Sequence, residues 1–399
     1  MRSKTNFKIS ILKWVIFLFL AGLIGYLSLT YNHNRSSEIE TAGVILPTVI
    51  EDGKQAITEE KSLSVRGLKK TAPETVKALY LTSWVAGTPH LRQRILDLLS
   101  QTEANAVVID VKDETGRISF DSSYPELIAT GAIHQRIRDL EELIINLKSN
   151  GFYVIARISV FQDPFWSKQR PDLAVSLNDG SLWRDRKGLS WIDPGAVEYW
   201  DYIVNVAKAS ADIGFDELNF DYVRFPSDGQ MGDIVYPHSN LLEKTKADIL
   251  EDFFSYLNKE LKITGAVLSI DLFGMTTTNT DDLNIGQVLE RAVPYFDFIA
   301  PMVYPSHYPI NFRGFGNPND YPYEIVHYSM TSAINRLEAV GELPEKLRPW
   351  LQDFDYPRAY TIDDVLAQKR AVYDVGLKSW MIWDPRNIYT KEALESSKP

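Results

Sequence analysis

Carboxylates at alternate positions of a short apolar run are the strongest chemical signal in this chain. In Phe215-Asp-Glu-Leu-Asn-Phe-Asp-Tyr-Val-Arg-Phe-Pro226, Glu217, Asn219 and Asp221 share one side while Leu218, Phe220 and Tyr222 share the other. That alternation is the period of a β-strand. The run lies between two helical segments, so both faces are expected to be covered, and a covered carboxylate is costly unless it has a partner or a task. Asp221 stands where strand passes into loop, followed by Arg224 and Pro226. In a barrel of parallel strands, chemistry is placed at that end.

The rest of the chain supplies such a barrel. Apolar, β-rich runs at Ala78–Trp84, Ala106–Lys112, Tyr153–Ser159, Glu217–Tyr222, Val267–Phe273, Phe298–Tyr304, Arg348–Asp353 and Ser379–Asp384 alternate with amphipathic segments. Those segments, at Leu91–Leu99, Leu140–Leu147, Val197–Ala211, Leu241–Leu261, Leu283–Val293, Ile325–Ala339 and Val365–Val375, carry apolar residues three and four apart. Alternation of this kind predicts an α/β protein, a (β/α)8 TIM barrel over residues 76–399. An open doubly wound sheet normally declares a nucleotide by a glycine-rich first turn, and none follows Trp84. Two long connections, Phe161–Pro194 and Pro305–Tyr323, are rich in aromatics, Pro, Gly and Asn and are expected to shape a cleft over the strand ends.

Every predicted strand delivers a polar or aromatic residue to one rim. Asp221 and Asp271, on neighbouring strands four and five, are the candidate catalytic pair. Trp84, Asp110, Lys112, Arg157, Arg224, Tyr304, His307, Gln352, Asp353 and Trp383 are the candidate substrate-binding residues. A sugar offers an apolar C–H face and a girdle of hydroxyls, so aromatic platforms and hydrogen-bonding side chains suit it together. Cleaving an acetal needs one protonated and one ionised carboxyl across the scissile bond. Arg157 or Arg224 is suited to hold Asp221 ionised, and the apolar setting of Asp271 in Ser269-Ile-Asp-Leu-Phe-Gly274 to hold it protonated, although the reverse assignment stays open. Asp110, Asp113, Glu114, Asp353 and Asp384 remain alternatives for the acid. A plainer role stands beside each: strand-end aspartates often only cap a turn, and Lys112, Arg157 and the tryptophans suit ion pairs or core.

Five segments in order carry a resemblance. Val108–Gly116, Phe220–Pro226, Ile270–Gly274, Ala300–Tyr308 and Arg348–Asp353 together resemble a bacterial family described as a glycosyl hydrolase domain, of otherwise unknown function. The resemblance covers about Ala78 to Tyr389. It implies a (β/α)8 barrel distantly similar to the α-amylase clan, with a strand-four Asp as nucleophile and a strand-five carboxylate as acid. Asp221 and Asp271 fall on those positions. Here the arginine follows the strand-four Asp instead of preceding it by two, and strand five offers Asp where that clan uses Glu.

Composition sets the outer bounds. With 399 residues, 45% of them hydrophobic, the chain can bury a large core. The formal net charge of -11 argues against a nucleic-acid surface and suits neutral or cationic partners. With no cysteine, thiol catalysis, disulfides and Cys-based zinc sites are excluded. The six histidines show no metal-binding spacing, so neither metal nor cofactor is expected. Ile11–Thr30 is almost continuously apolar behind Arg2, Lys4, Lys8 and Lys13, which predicts a signal anchor over 1–30 with the remainder outside the cytoplasm. A cleaved signal peptide is the alternative. Residues 31–75 are polar and aperiodic and read as a stalk, with a short strand at Val44–Ile50 in prospect. The expected protein is therefore a membrane-anchored, extracytoplasmic glycoside hydrolase acting on an envelope or extracellular polysaccharide with retention. The rival is a glycan-binding protein that kept the cleft and lost catalysis.

Overall fold

The structure, a computed structural model, describes residues 72–395. The expected anchor over 1–30 and nearly all of the expected stalk, with its strand at 44–50, lie outside the described residues. Eight parallel strands close into a barrel: β1 (Lys77–Leu81), β2 (Ala106–Lys112), β3 (Tyr153–Ser159), β4 (Glu217–Asp221), β5 (Val267–Phe273), β6 (Phe298–Met302), β7 (Trp350–Gln352) and β8 (Trp380–Trp383). Each strand pairs with its neighbours in the chain, and β8 returns to β1 through Lys77 opposite Trp380.

A helix follows each strand: α1 (Pro89–Gln101), α2 (Leu140–Ser149), α3 (Val197–Ile213), α4 (Lys246–Leu261), α5 (Leu289–Ala292), α6 (Pro322–Ala339), α7 (Ile362–Asp374) and α8 (Lys391–Leu394). Among the described residues, no helix is long and apolar enough to cross a membrane. Boundaries follow local chemistry. Thr245 and Asp248 form a reciprocal capping box, so α4 starts there and not at the expected Leu241. The helix expected over Leu283–Val293 shrinks to the single turn of α5, because Leu283, Asn284 and Gly286 all take positive φ. Strand β1 stops at Leu81, and Trp84 belongs instead to a one-turn helix, Ser83–Ala86, capped by the Thr82 hydroxyl.

Side chains alternate as the pleat requires. Leu218 and Phe220 of β4, with Val107, Ile109 and Val111 of β2, pack outward in the large core beneath the helices. Ala78, Tyr80, Ala106, Val108, Tyr153, Ile155, Ala300, Trp350 and Met381 form a second, inner cluster. The interior is only half apolar. At its lower level Arg348 Nη1 donates to both oxygens of Glu217 at 2.9 Å, Ser269 donates to Glu217 at 2.6 Å, and the Arg348 guanidinium lies 3.9 Å above the Phe298 ring. The pair is fully buried.

Two devices shape the upper rim. The connection after β3 carries a two-residue strand, Ser176–Leu177, paired antiparallel with Ile234–Val235 from the connection after β4. At the end of β5 a Cβ on Gly274 would meet the Met302 carbonyl oxygen at 2.2 Å, so only glycine lets β5 turn beside β6.

Removing one partner of a buried pair leaves an uncompensated charge. Arg348→Met is expected to cost about 3–5 kcal/mol in denaturant unfolding, and Glu217→Met together with Arg348→Met to recover most of it. Equal loss in the single and double variants would show that packing, and not charge, governs this level.

Candidate active site

Register brings the site together. Asp110 of β2 lies opposite Arg157 of β3, Arg157 opposite Asn219 of β4, and Asn219 opposite Ser269 of β5, two residues before Asp271. Arg157 therefore rises at the centre of a fan of carboxyls. Its Nη1 donates to Asp110 Oδ1 at 2.6 Å, its Nη2 donates to Asp221 Oδ2, and its Nε lies 3.8 Å from Asp271 Oδ2. Tyr80 completes the fan by donating its hydroxyl to Asp110 Oδ2.

Asp221 is held from both sides. Its Oδ1 accepts the Tyr222 amide at 2.5 Å, and Tyr222 itself adopts a left-handed backbone with φ of 54°. For a bulky residue that conformation costs on the order of 1–3 kcal/mol, and it ends β4 one residue earlier than the pattern of the run predicts. Asp271 is set deeper. Its Oδ1 accepts Asn219 Nδ2 at 2.9 Å and Trp350 Nε1 at 2.7 Å, while its Oδ2 has no hydrogen-bond partner among the described residues.

Electrostatics separate the carboxyls. Burial first, and then the negative charge of Asp221, raise the Asp271 pKa well above its ordinary value against the pull of Arg157. Asp271 is thus the carboxyl of the group pushed furthest toward its protonated form. Burial also raises Asp110, with Arg157 opposing. Arg157 stays charged although burial works against it, because Asp221 and Asp110 push its pKa well up.

Above these groups opens a cavity of about 220 Å³. Of the expected site residues, Asp221, Asp271, Arg157, Arg224, Tyr304, His307 and Trp383 line it. Tyr304 and Trp383 stack with centroids 5.7 Å apart and planes 24° apart, and make an aromatic wall. His307 accepts or donates at Nδ1 with the Ser306 hydroxyl at 2.9 Å, and burial lowers its pKa.

Five expected site residues lie elsewhere. Asp110 sits behind Arg157 and reaches the cavity only through it. Lys112, beyond a register shift in β2, is fully buried outside the barrel, where it pairs with Asp163 at 2.9 Å and donates to the Ser159 carbonyl at 2.7 Å. Gln352 spends its amide on the Ser306 N–H and the Phe354 carbonyl, fastening two loops. Asp353 accepts the Thr390 amide at 2.8 Å and hydroxyl at 2.7 Å, and burial pushes its pKa up to about 6. Trp84 is 61% exposed on its one-turn helix, with the Arg136 guanidinium 4.5 Å over its ring.

Sequence reasoning overlooked Tyr80, Lys187 and Trp350. Trp350 was open to detection, since it stands two residues before Gln352 on the same face of a predicted strand. Lys187 lies in an aperiodic loop that offered no such signal. Among the described residues, no group of three or more His, Asp or Glu is placed to hold a metal ion.

A family model described as "Putative glycosyl hydrolase domain" matches residues 78–389. The chain belongs to this family. No match was found among curated proteins. A hypothetical protein from Ruminiclostridium thermocellum is 33% identical, covering 52% of this chain and 98% of that one with a TM-score of 0.45. The PgaB (BpsB) glycoside hydrolase domain from Bordetella bronchiseptica is 12% identical, covering 81% of this chain and 100% of that one with a TM-score of 0.59. The spore cortex-lytic enzyme SleL from Bacillus megaterium is 11% identical over 87% of this chain and 84% of that one, with a TM-score of 0.48. The Bordetella likeness shows a shared barrel fold; the family membership establishes a glycosyl hydrolase-like domain.

Asp221 and Arg157 act on Asp271 in opposite senses, so one substitution tests both. In Asp221→Asn the repelling charge is gone and Arg157 is freed to favour the Asp271 carboxylate. The Asp271 titration is expected to move to lower pH, read by 13C NMR of labelled aspartate carboxyls. An unmoved titration would leave burial as its sole cause.

Proposed function

We propose that the protein is a retaining glycoside hydrolase in which Asp221 attacks the anomeric carbon and Asp271 protonates the departing oxygen. The observation that carries this reading is two carboxyls set beside one guanidinium and below one aromatic wall, with the Asp271 pKa pushed up by burial and by Asp221. The Asp271 Oδ2 proton passes to the glycosidic oxygen as the bond from that oxygen to the anomeric carbon breaks. A bond from Asp221 to that carbon forms. Water then attacks the same carbon, returns a proton to Asp271 and releases Asp221.

Retention is favoured by closeness. Nη2 and Nε of Arg157 lie on the same edge of the guanidinium, and that edge meets Asp221 and Asp271. Inverting enzymes instead separate their carboxyls by about 6.5–9.5 Å to seat a water between them. Arg157 keeps Asp221 oriented through one oxygen and leaves lone pairs for attack. The stacked Tyr304 and Trp383 suit the C–H face of a sugar ring, which points to a polysaccharide or oligosaccharide substrate.

The apolar stretch Ile11–Thr30 behind four basic residues supports a single-pass anchor with the barrel on the extracytoplasmic side. On that side the substrate is a polymer of the envelope or its surroundings.

The test is release of reducing ends from a panel of envelope and extracellular polysaccharides by the full-length protein. Asp221→Asn is expected to lose roughly three or more orders of magnitude in kcat. A working acid contributes about 10²–10⁴-fold, so Asp271→Asn should lose that much on unactivated substrates and far less on aryl glycosides with good leaving groups. Because the acid must be protonated, kcat/KM is expected to fall as pH rises through the Asp271 pKa, and Asp271→Asn to lack that limb. Loss in Glu114→Gln but not in Asp271→Asn would move the acid to Glu114, an exposed residue whose charge reaches Tyr80, Asp110 and Tyr222. Binding without any product would favour the glycan-binding alternative.

A further inference from the structure

Two cations stand on the cavity wall without a carboxylate to answer them. Arg224 lies 4.8 Å over the Trp191 ring and 5.6 Å from the Tyr222 ring. Its Nη1 donates to the Phe225 carbonyl at 3.1 Å and the Ser227 hydroxyl at 3.2 Å, while Nε and Nη2 have no partner among the described residues. Asp221, Asp228 and Asp185 act on it electrostatically, yet burial outweighs them and lowers its pKa. None comes within ion-pair distance.

Two of those carboxylates are committed to other groups, while Asp228 accepts only the Arg186 amide at 3.5 Å. Asp221 belongs to Arg157 and the Tyr222 amide. Asp185 Oδ1 accepts the amides of Lys187 and Leu189, each at 2.9 Å, and its Oδ2 accepts Gln162 Nε2 at 3.0 Å and Trp191 Nε1 at 3.2 Å. The buried Asp185 thereby does a second thing: it clamps the turn that carries Lys187 to the cavity. Arg184 braces the same turn through the Gly188 carbonyl at 2.9 Å. Lys187 lies near enough to His307 for its charge to help lower the histidine pKa.

We infer that Arg224 and Lys187 form a subsite for an anionic substituent on the sugar, a carboxylate or a phosphate ester, so that the substrate is an acidic glycan. A guanidinium stacked on an aromatic with Nε and Nη2 unengaged is a ready donor pair for such a group, and Lys187 supplies a point charge from the turn that Asp185 clamps. The upward push on the Asp271 pKa adds to the effect, since a protonated Asp271 withholds a negative charge from the cavity floor. The inference rests on the hydrolase reading only for the identity of the bound polymer as a sugar. It reverses what the net charge of -11 implies about partners, because the relevant field is local.

The test uses the full-length protein and matched oligosaccharides: an oligoglucuronate against its methyl ester, and a 6-phosphorylated gluco-oligosaccharide against its dephosphorylated form. Binding is followed by calorimetry and products by mass spectrometry. One acid is expected to be preferred over its neutral match by about tenfold or more, the worth of a charge-assisted hydrogen bond, and the preferred pair identifies the anion. Arg224→Gln and Lys187→Gln should each erode that preference, whatever they do to the neutral form. Lys187→Gln lies on an exposed loop and guards against misfolding. Equal handling of acid and neutral forms in both pairs, or an acid preference unchanged in both variants, would overturn the subsite. Acid-selective binding with no cleavage of any oligosaccharide would uphold the subsite and overturn the hydrolase reading instead.

Discussion

One buried guanidinium holds the upper barrel together. Arg157 is the cation shared by Asp110, Asp221 and Asp271, and all four groups are withdrawn from water. At an effective dielectric near 20, two unit charges 4 Å apart interact by about 4 kcal/mol, so each carboxylate beyond the first is drawn to Arg157 and repelled by its sisters. Three carboxyls cannot all ionise beside one cation. The proton is kept where the guanidinium is farthest and water is most excluded, which is Asp271. Arg157 opposes what burial does to these acids, and the excess of carboxyls adds to burial in raising Asp271.

That arrangement requires a barrel with a polar interior, and the strands supply it in levels. Glu217 and Arg348 form a closed pair low in the barrel, with Ser269 between them and Asn219. Asn219 then hands its amide up to Asp271, and Trp350 does the same from the opposite side. Every carboxyl oxygen that faces the wall is thereby occupied, and Asp271 Oδ2 is left over. Fixed donors of this kind are what an active site needs if its groups are not to reorganise during reaction. The cost is a left-handed Tyr222 and several polar groups in space that leucine and valine could have filled.

The sequence announced the barrel because alternation is a long-range signal. Eight strands and their order could be read from periods of two and of 3.6, and the carboxylate face of β4 from three residues. What it could not announce depends on where strands end. Trp84 was expected at the rim as the last residue of a strand, but Thr82 caps a helical turn there and swings the indole outward. Lys112 shares the parity of Asp110, yet the register slips between them and turns its amine under the loop. Gln352 and Asp353 look like ligands for a sugar in one dimension and prove to be fasteners for backbone amides in three. Conversely, Trp350 was hidden by its apolarity: only the structure reveals that its N–H points at Asp271.

Charge offers a second contrast between whole and part. Counted over the chain, acidic residues dominate, but in physiological salt a charge is felt over only roughly 8 Å. Within the cavity the balance depends on commitment, not number. A carboxylate with both oxygens engaged contributes little to a ligand, and Asp185 is the clear case: it lies near Arg224, but its four hydrogen bonds go to the Lys187 and Leu189 amides, Gln162 and Trp191. An acid that organises a loop can therefore make the mouth of a site more positive. Sequence counts record Asp185 as one more negative charge, and the fold uses it to present a cation.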